Sequence, residues 1–231
     1  MNYTQLSTAI QDYTQNFESD FVANIPVFVK QAEQRIYNTV QFPSIRKNVT
    51  GSVSTANKYL SCPTDFLSVY SMAVIDALGN YEYLLNKDVN FIRQAYPNPT
   101  TDTGIPKYYA LFGPTVAGAT ISDELSFILG PTPDAAYSVE LHYYYYPESI
   151  SVAADGQTWL GDNFDTVLLY GCLVEAYTFM KGEQDMMALY EGKYKEALSL
   201  AARLGDGLER SDAYRSGQFR LAPLPQNSGV R

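Results

Sequence analysis

The chain has 231 residues, 46% of them hydrophobic and 18% charged, with 20 tyrosines, one tryptophan, one histidine and a formal net charge of -9. This length suits one large domain or two small lobes, and the apolar fraction can fill a core, which excludes disorder as a description of the whole chain. The charge has the wrong sign for a protein that gains affinity by neutralising phosphates, so tight DNA binding is not expected, whereas an acidic wall would let DNA slide past without sticking.

Tyr3 to Asn16 is polar, with apolar points at Leu6, Ile10, Tyr13 and Phe17 spaced as one narrow helical face. A stronger helix is expected from Asn24 as cap, with Pro26 in the first turn and Ile25, Phe28, Val29, Ala32, Ile36 and Val40 on one face, closed by Pro43. From Ile45 to Leu84 the period changes to two: Val49, Gly51 and Val53, then Tyr59, a turn at Cys62 to Asp65, a strand from Val69 to Ile75 and another from Tyr81 to Leu84. Leu78-Gly79-Asn80 joins the last two as a hairpin. Asp88 caps a brief helix to Tyr96, and Pro97 to Pro106 is a surface loop. Strands follow at Pro106 to Phe112, Val116 to Ile121, Glu124 to Leu129 and Tyr137 to Tyr146, with Gly130 to Pro133 as the turn before the last.

After Pro147 and a loop through Gly161, Asp162 is expected to cap a helix carrying Phe164, Val167, Leu168, Gly171, Cys172, Ala176 and Phe179, ended by Gly182. The next helix, Gln184 to Leu204, has an inner stripe of Met187, Tyr190, Tyr194, Ala197, Ala201 and Leu204, with Lys193 and Lys195 among Glu191 and Glu196 outside. From there no period remains; from Ala213 onward the side chains include Arg215, Arg220 and Arg231 and no acid. The fold class is therefore α+β, a bundle of N- and C-terminal helices with a central inserted antiparallel β-sandwich or barrel. The boundaries are residues 1–43 and 162–204 for the helical domain, 44–161 for the β-rich domain and 205–231 for an extended arm.

Chemistry is hard to find. His142, the only histidine, lies in a strand beside four tyrosines with no Ser or Cys placed to partner it, which favours a structural role. No glycine-rich phosphate loop can be read, and no cofactor or metal site is expected. Cys62 and Cys172 sit far apart outside any Cys-x-x-Cys, as buried free thiols. The acids Asp123 with Glu124, Asp162 with Asp165, and Glu183 with Asp185 suit turns and helix starts. Glu175 lies on a face that reads as buried and needs a partner: a tyrosine hydroxyl, a Lys or Arg of a neighbouring helix, or, in an undetected hydrolase, a substrate. Asn48-Val49-Thr50 fits a glycosylation sequon by chance. Neither a signal peptide nor an apolar run of ~18 residues is present, so a cytoplasmic origin without membrane contact is expected.

Four segments together resemble a known family. Ile25-Pro26-Val27-Phe28-Val29 with Ala32-Glu33 and Arg35-Ile36 looks like the first long helix of head-to-tail adaptor proteins of tailed phages, the group that includes the tail-tube adaptors of T7-like viruses. Pro63-Thr64-Asp65-Phe66-Leu67 resembles that family's Pro-x-Asp-Phe turn, Gly104-Ile105-Pro106-Lys107-Tyr108-Tyr109 its lead into a strand, and Leu168-Leu169-Tyr170-Gly171 with Glu175-Ala176 its penultimate helix. The resemblance covers roughly residues 25 to 204, and the segment before Phe21 matches no part of it. It implies a structural, non-enzymatic virion protein of the neck. This would be a twelvefold ring joining the portal protein to the tail nozzle protein, with DNA passing through its channel unbound, assembled in the host cytoplasm. On that reading the C-terminal arm is the portal contact, through Tyr214, Arg215, Phe219, Arg220 and Leu221, since aromatic and Arg anchors on an ordering segment dominate such interfaces. The competing reading is a carbohydrate-binding β-rich tail protein with exposed tyrosines lining a groove.

Overall fold

The computed structural model describes residues 1–113, 116–117, 120–121 and 125–215, and the side chains of 1–113 and 125–203. The chain divides into two units, residues 1–43 with 148–231, and residues 44–147. It is an α+β protein.

The first unit contains helices α1 (Tyr3–Thr14), α2 (Ser19–Thr39), α4 (Trp159–Asn163), α5 (Asp165–Phe179) and α6 (Gln184–Arg215). α1 opens with a capping box in which Asn2 Oδ1 accepts from the Gln5 N–H while Gln5 Oε1 accepts from the Asn2 N–H. Its stripe buries Leu6 and Ile10 completely but leaves Tyr13 and Phe17 exposed. α5 is the centre: Val167, Leu168, Cys172, Leu173 and Ala176 are buried, and α1, α2, α4 and α6 all pack on it. Such a surround needs apolar residues on nearly every face, which is why its sequence carries so few charges. A Cβ on Gly171 would lie 3.1 Å from the Ala32 Cβ and 3.3 Å from the Tyr194 ring, so glycine sets the closeness of α2, α5 and α6. Phe21, Phe28 and Phe179 pack at ring distances of 5.7, 6.3 and 5.2 Å, and Phe42, Trp159 and Phe164 form a second aromatic group. Each buried large apolar side chain contributes ~1.5–3 kcal/mol.

Several boundaries differ from the sequence reading. α2 starts at Ser19, so Pro26 falls in its interior and Asn24, rather than capping, donates from its side chain to the Asp20 carbonyl at 2.7 Å. Asp162 caps nothing: it lies inside α4, whose cap is Thr158, with Oγ1 accepting from the Gly161 N–H at 3.2 Å. α5 ends at Phe179, and Lys181 takes the left-handed conformation (φ 53°) before Gly182. α6 runs past Leu204 to Arg215, so residues 205–215 are helical and not extended. Gly205 and Gly207 weaken that stretch but, without proline, do not stop it, and Leu208, Glu209, Arg210 and Ala213 all favour helix. Residues 148–161 group with the helices and not with the strands.

Among its described residues the second unit holds ten strands: β1 (Arg46–Val53), β2 (Tyr59–Ser61), β3 (Ser68–Ile75), β4 (Tyr81–Tyr83), β5 (Leu85–Asn86), β6 (Tyr108–Phe112), β7 (Val116–Ala117), β8 (Thr120–Ile121), β9 (Ser126–Gly130) and β10 (Tyr137–Tyr144). It also holds helix α3 (Val89–Ala95). One antiparallel sheet, sheet A, has the order β1-β10-β3-β4; a second, sheet B, has the order β2-β9-β6-β5. β5 pairs parallel to β6, and β7 pairs antiparallel with β8 where one continuous strand was expected. The β3–β4 hairpin turns through Gly79 (φ 87°), with the Asp76 carboxylate accepting from the Leu78 and Asn80 N–H groups. Asp88 caps α3 by accepting from Asn90 N–H at 2.7 Å.

Both four-stranded sheets contribute to one core. Val53, Met72, Val74, Val139, Leu141 and Tyr143 come from sheet A, and Tyr109, Phe127 and Leu129 from sheet B. The alternation along β10, with Val139, Leu141 and Tyr143 buried between more exposed residues, is the period-two pattern of a sheet with one covered face. On the other face of sheet B, Ile92 of α3 packs with Ala110 and Ile128.

Candidate functional site

The arm residues proposed from the sequence are placed only in part. Tyr214 and Arg215 are the last two residues of α6, while Phe219, Arg220 and Leu221 lie outside the described residues. α6 reaches them as a rod of 32 residues, held on α5 by Tyr190, Tyr194 and Ala201, with the Glu191–Lys195 pair (2.9 Å) on its outer face.

Glu175 finds a partner within the helical unit. Its Oε1 accepts from Arg35 Nη1 at 2.9 Å, and the Arg35 guanidinium lies 4.8 Å from the Tyr194 ring centre, so one cation ties α2, α5 and α6 together. A carboxylate so paired is committed to structure.

A second carboxylate, Glu33, is the one that sequence reasoning missed. It is 4% exposed, and its Oε1 accepts from the Ile150 backbone N–H at 3.0 Å. Burial holds its carboxyl above the ordinary value, against the pull of hydrogen bonds from Ile150 and Ser149. The signal was available: Ile25, Val29, Glu33 and Tyr37 follow each other at steps of four, so Glu33 continues a buried stripe. Its task is to fix the chain that re-enters the helical unit after β10, by satisfying the N–H of the buried Ile150. Cys172 is fully buried nearby, its thiol pushed well up by burial and by the charges of Glu33 and Glu175. Cys62, in the other unit, is pushed up to about 12 by burial. Neither thiol is a nucleophile in such surroundings.

In the β unit, the outer face of sheet A gathers polar and aromatic groups. Glu140 accepts from Asn48 Nδ2 at 2.7 Å and lies 3.9 Å from His142 Nε2, and His142 Nδ1 is 3.4 Å from the Ser71 hydroxyl. The charge of Glu140 and its hydrogen bond to Tyr81 hold that phenol above its ordinary value. Arg46 lies over the rings of Tyr70 and Tyr144 at 4.8 and 5.8 Å. Tyr70, Tyr81 and Tyr83 are each more than half exposed. His142 is thus an accessible polar residue of a sheet face, flanked by the Ser71 hydroxyl on one ring nitrogen and by Glu140 on the other, a serine partner that the spacing in the sequence did not suggest. Elsewhere in this unit Lys47 Nζ and the Tyr143 hydroxyl both donate to Asp65, at 2.7 and 2.8 Å. A cavity of about 230 Å³ is lined by Lys58, Tyr59, Ile92, Arg93, Tyr96 and Pro97 among others.

Among the described residues the other paired acids read from the sequence join no such constellation. Asp123 and Glu124 lie outside the described residues, Asp162 is exposed 3.8 Å from the Met1 ammonium, and Glu183 with Asp185 flanks the start of α6. Among the described residues no three of His, Cys, Asp and Glu come together as a metal-ligand set, and no helix is long and apolar enough to cross a membrane.

Comparison with known proteins bears on this arrangement. The model of one protein family, described as SU10 adaptor protein, matches residues 1–222. No curated protein matches the chain.

Proposed function

Because the chain belongs to the SU10 adaptor protein family, whose members are structural adaptors of phage virions, we propose that it is the head-to-tail adaptor that joins the portal protein to the tail nozzle protein. On this reading it forms a twelvefold ring whose channel passes DNA without binding it, and it catalyses no reaction. The observation that carries the proposal is the extent of the match, which includes α6 and continues through Leu221. The -9 charge supports a channel that does not retain phosphates. Support for a portal contact through Tyr214, Arg215, Phe219, Arg220 and Leu221 comes from their position at and beyond the end of a long helix, in a stretch with Arg and aromatic residues and no acid.

The test is sedimentation of the purified full chain with the portal protein of the same virus, beside a chain ending at Ser211. The full chain is expected in ring-sized particles with the portal, and the shortened chain is expected to stay free. Failure of both to associate ends the portal assignment. One observation favours a second reading in that case: the exposed Tyr70, Tyr81 and Tyr83 beside Asn48, Glu140 and His142 offer stacking and hydrogen bonding to a sugar, and glycan binding by the free protein is the measurement that decides it.

A further inference from the structure

We propose that β1 is an assembly edge, which pairs antiparallel with β4 of a second copy so that sheet A continues head to tail from subunit to subunit. The proposal deepens the ring reading above and rests on it.

Among the described residues β1, eight residues long, bonds to β10 on one side only, and its residues 47 to 52 are all exposed. Ile45 accepts from the Tyr145 N–H at 2.9 Å, which sets the phase of the ladder. Alternate residues then turn their N–H and C=O groups away from β10, among them Asn48, Thr50 and Ser52. A long open edge of this kind is a template for another strand, and proteins that keep one monomeric guard it with proline, bulges or free lysines. β1 has no proline, the register shift of sheet A lies between β10 and β3, and the one lysine, Lys47, is held by Asp65 at 2.7 Å.

The opposite edge of the same sheet complements it. Leu84 donates to the Met72 carbonyl at 2.9 Å, so by alternation Tyr81 and Tyr83 point their backbone groups outward from β4. Their rings, 51% and 66% exposed and stacked 6.5 Å apart, are large apolar surfaces left in water beside that edge. The two edges also differ in the sign of their charge: β1 carries Arg46 and Lys47, the latter paired with Asp65, and no acid, whereas Ile75 to Tyr83 carries Asp76 and Glu82 and no base. Strand parity settles the direction of pairing. A sheet of four antiparallel strands repeated by rotation brings β4 against the next β1 in antiparallel sense, the more stable ladder. Such an interface is heterologous, and it leaves no open edge only when the ring closes. β4 offers only three residues, so a single junction is weak and closure is cooperative.

The experiment compares full-length wild type with Thr50→Pro, Thr50→Val and Glu82→Lys. Proline removes an outward N–H and leaves the bonds to β10 in place; valine keeps the N–H and controls for the side chain; Glu82→Lys opposes the β1 cations without touching β1. Self-association is followed by sedimentation velocity over a roughly hundredfold concentration range, and hydrogen exchange is read on the 46–53 peptide. Wild type and Thr50→Val are expected to associate alike, with Thr50→Pro and Glu82→Lys requiring about tenfold more protein. Protection of the 46–53 amides is expected only in the associated fraction. Folded Thr50→Pro and Glu82→Lys proteins that associate as wild type does would overturn the strand junction while leaving the ring to another surface. Portal-bound rings without added protection in β1 would overturn it equally, whereas wild type that fails to join the portal sinks the ring reading first.

Discussion

Replacing Glu33 by alanine and by glutamine separates what this buried carboxylate contributes from what its ionisation costs. In E33A the Ile150 N–H, bonded at 3.0 Å in a site where Glu33 is 4% exposed, loses its acceptor. A hydrogen bond to a charged group contributes about 1.5–3 kcal/mol and an orphaned buried donor costs about 1–3 kcal/mol; these are two views of one loss, so about 2–3 kcal/mol is expected. E33Q keeps an oxygen for Ile150 without the charge, and at neutral pH it is expected within about 1 kcal/mol of wild type, or above it. The pH dependence gives the stricter criterion. Burial raises the carboxyl above 4.5 in the folded protein, with the Ile150 and Ser149 bonds opposing, so the native state holds this proton more tightly than the unfolded chain does. Stability from this group is complete below about 4.5 and is lost as pH rises through the raised folded value. E33Q lacks that limb, so its advantage over wild type grows across the window and then levels. Urea unfolding followed by circular dichroism between pH 4 and 8 measures both effects. Parallel curves for E33Q and wild type, or an E33A protein as stable as either, would refute the reasoning.

Three further outcomes follow from the same contacts. A double-mutant cycle on Arg35 and Glu175, 38% and 21% exposed, is expected to give a coupling of about 1 kcal/mol that shrinks in high salt; zero coupling in low salt would remove the pair as a tie between α2 and α5. Burial alone would raise the Asp65 carboxyl, but bonds from Lys47 and Tyr143 hold it below 3.8, so its contribution is present above that pH and lost as pH falls through the lower folded value. D65N should therefore flatten the acid limb of the unfolding curve followed by near-ultraviolet circular dichroism, and an unchanged limb counts against the network. Cys62 and Cys172 are expected to resist a thiol reagent in native protein at pH 8 and both to react in denaturant; fast native reaction of either contradicts its burial.

Much of the fold was legible because local signals agreed with the tertiary outcome. The stripe from Ile25 to Val40, the Leu78-Gly79-Asn80 turn and the Asp88 cap each rest on spacing or backbone chemistry that neighbours do not override. The start of α2 was hidden because Pro26 prefers a first turn, and only packing of Phe21 against Phe28 and Phe179 draws Ser19 to Asn24 into the helix. β5 has two residues and pairs parallel with a distant strand, so periodicity could not reveal it. The pairing of Glu175 with an Arg of a neighbouring helix was among the alternatives read from the sequence, since an acid on an apolar face demands a cation. Glu33 escaped notice because it was read as part of a family motif and not as a member of the 25-29-33-37 row. The assembly edge could not be read either: which flank of β1 remains open depends on β10, whose partners lie far along the chain.

The helical unit is discontinuous, and this orders its birth on the ribosome. α2 is complete at Thr39, but α5, against which its apolar stripe packs, begins only at Asp165, after the whole β unit has been made. At ~5–20 residues per second that interval is on the order of 6–25 s. Through it Ile25, Val29 and Ile36 lack their cover, while residues 44–147 already hold every strand of their own sheets. Slowing or speeding translation between codons 44 and 164 therefore changes how long a sticky helix is offered to chaperones and to other nascent copies, without altering a single native contact.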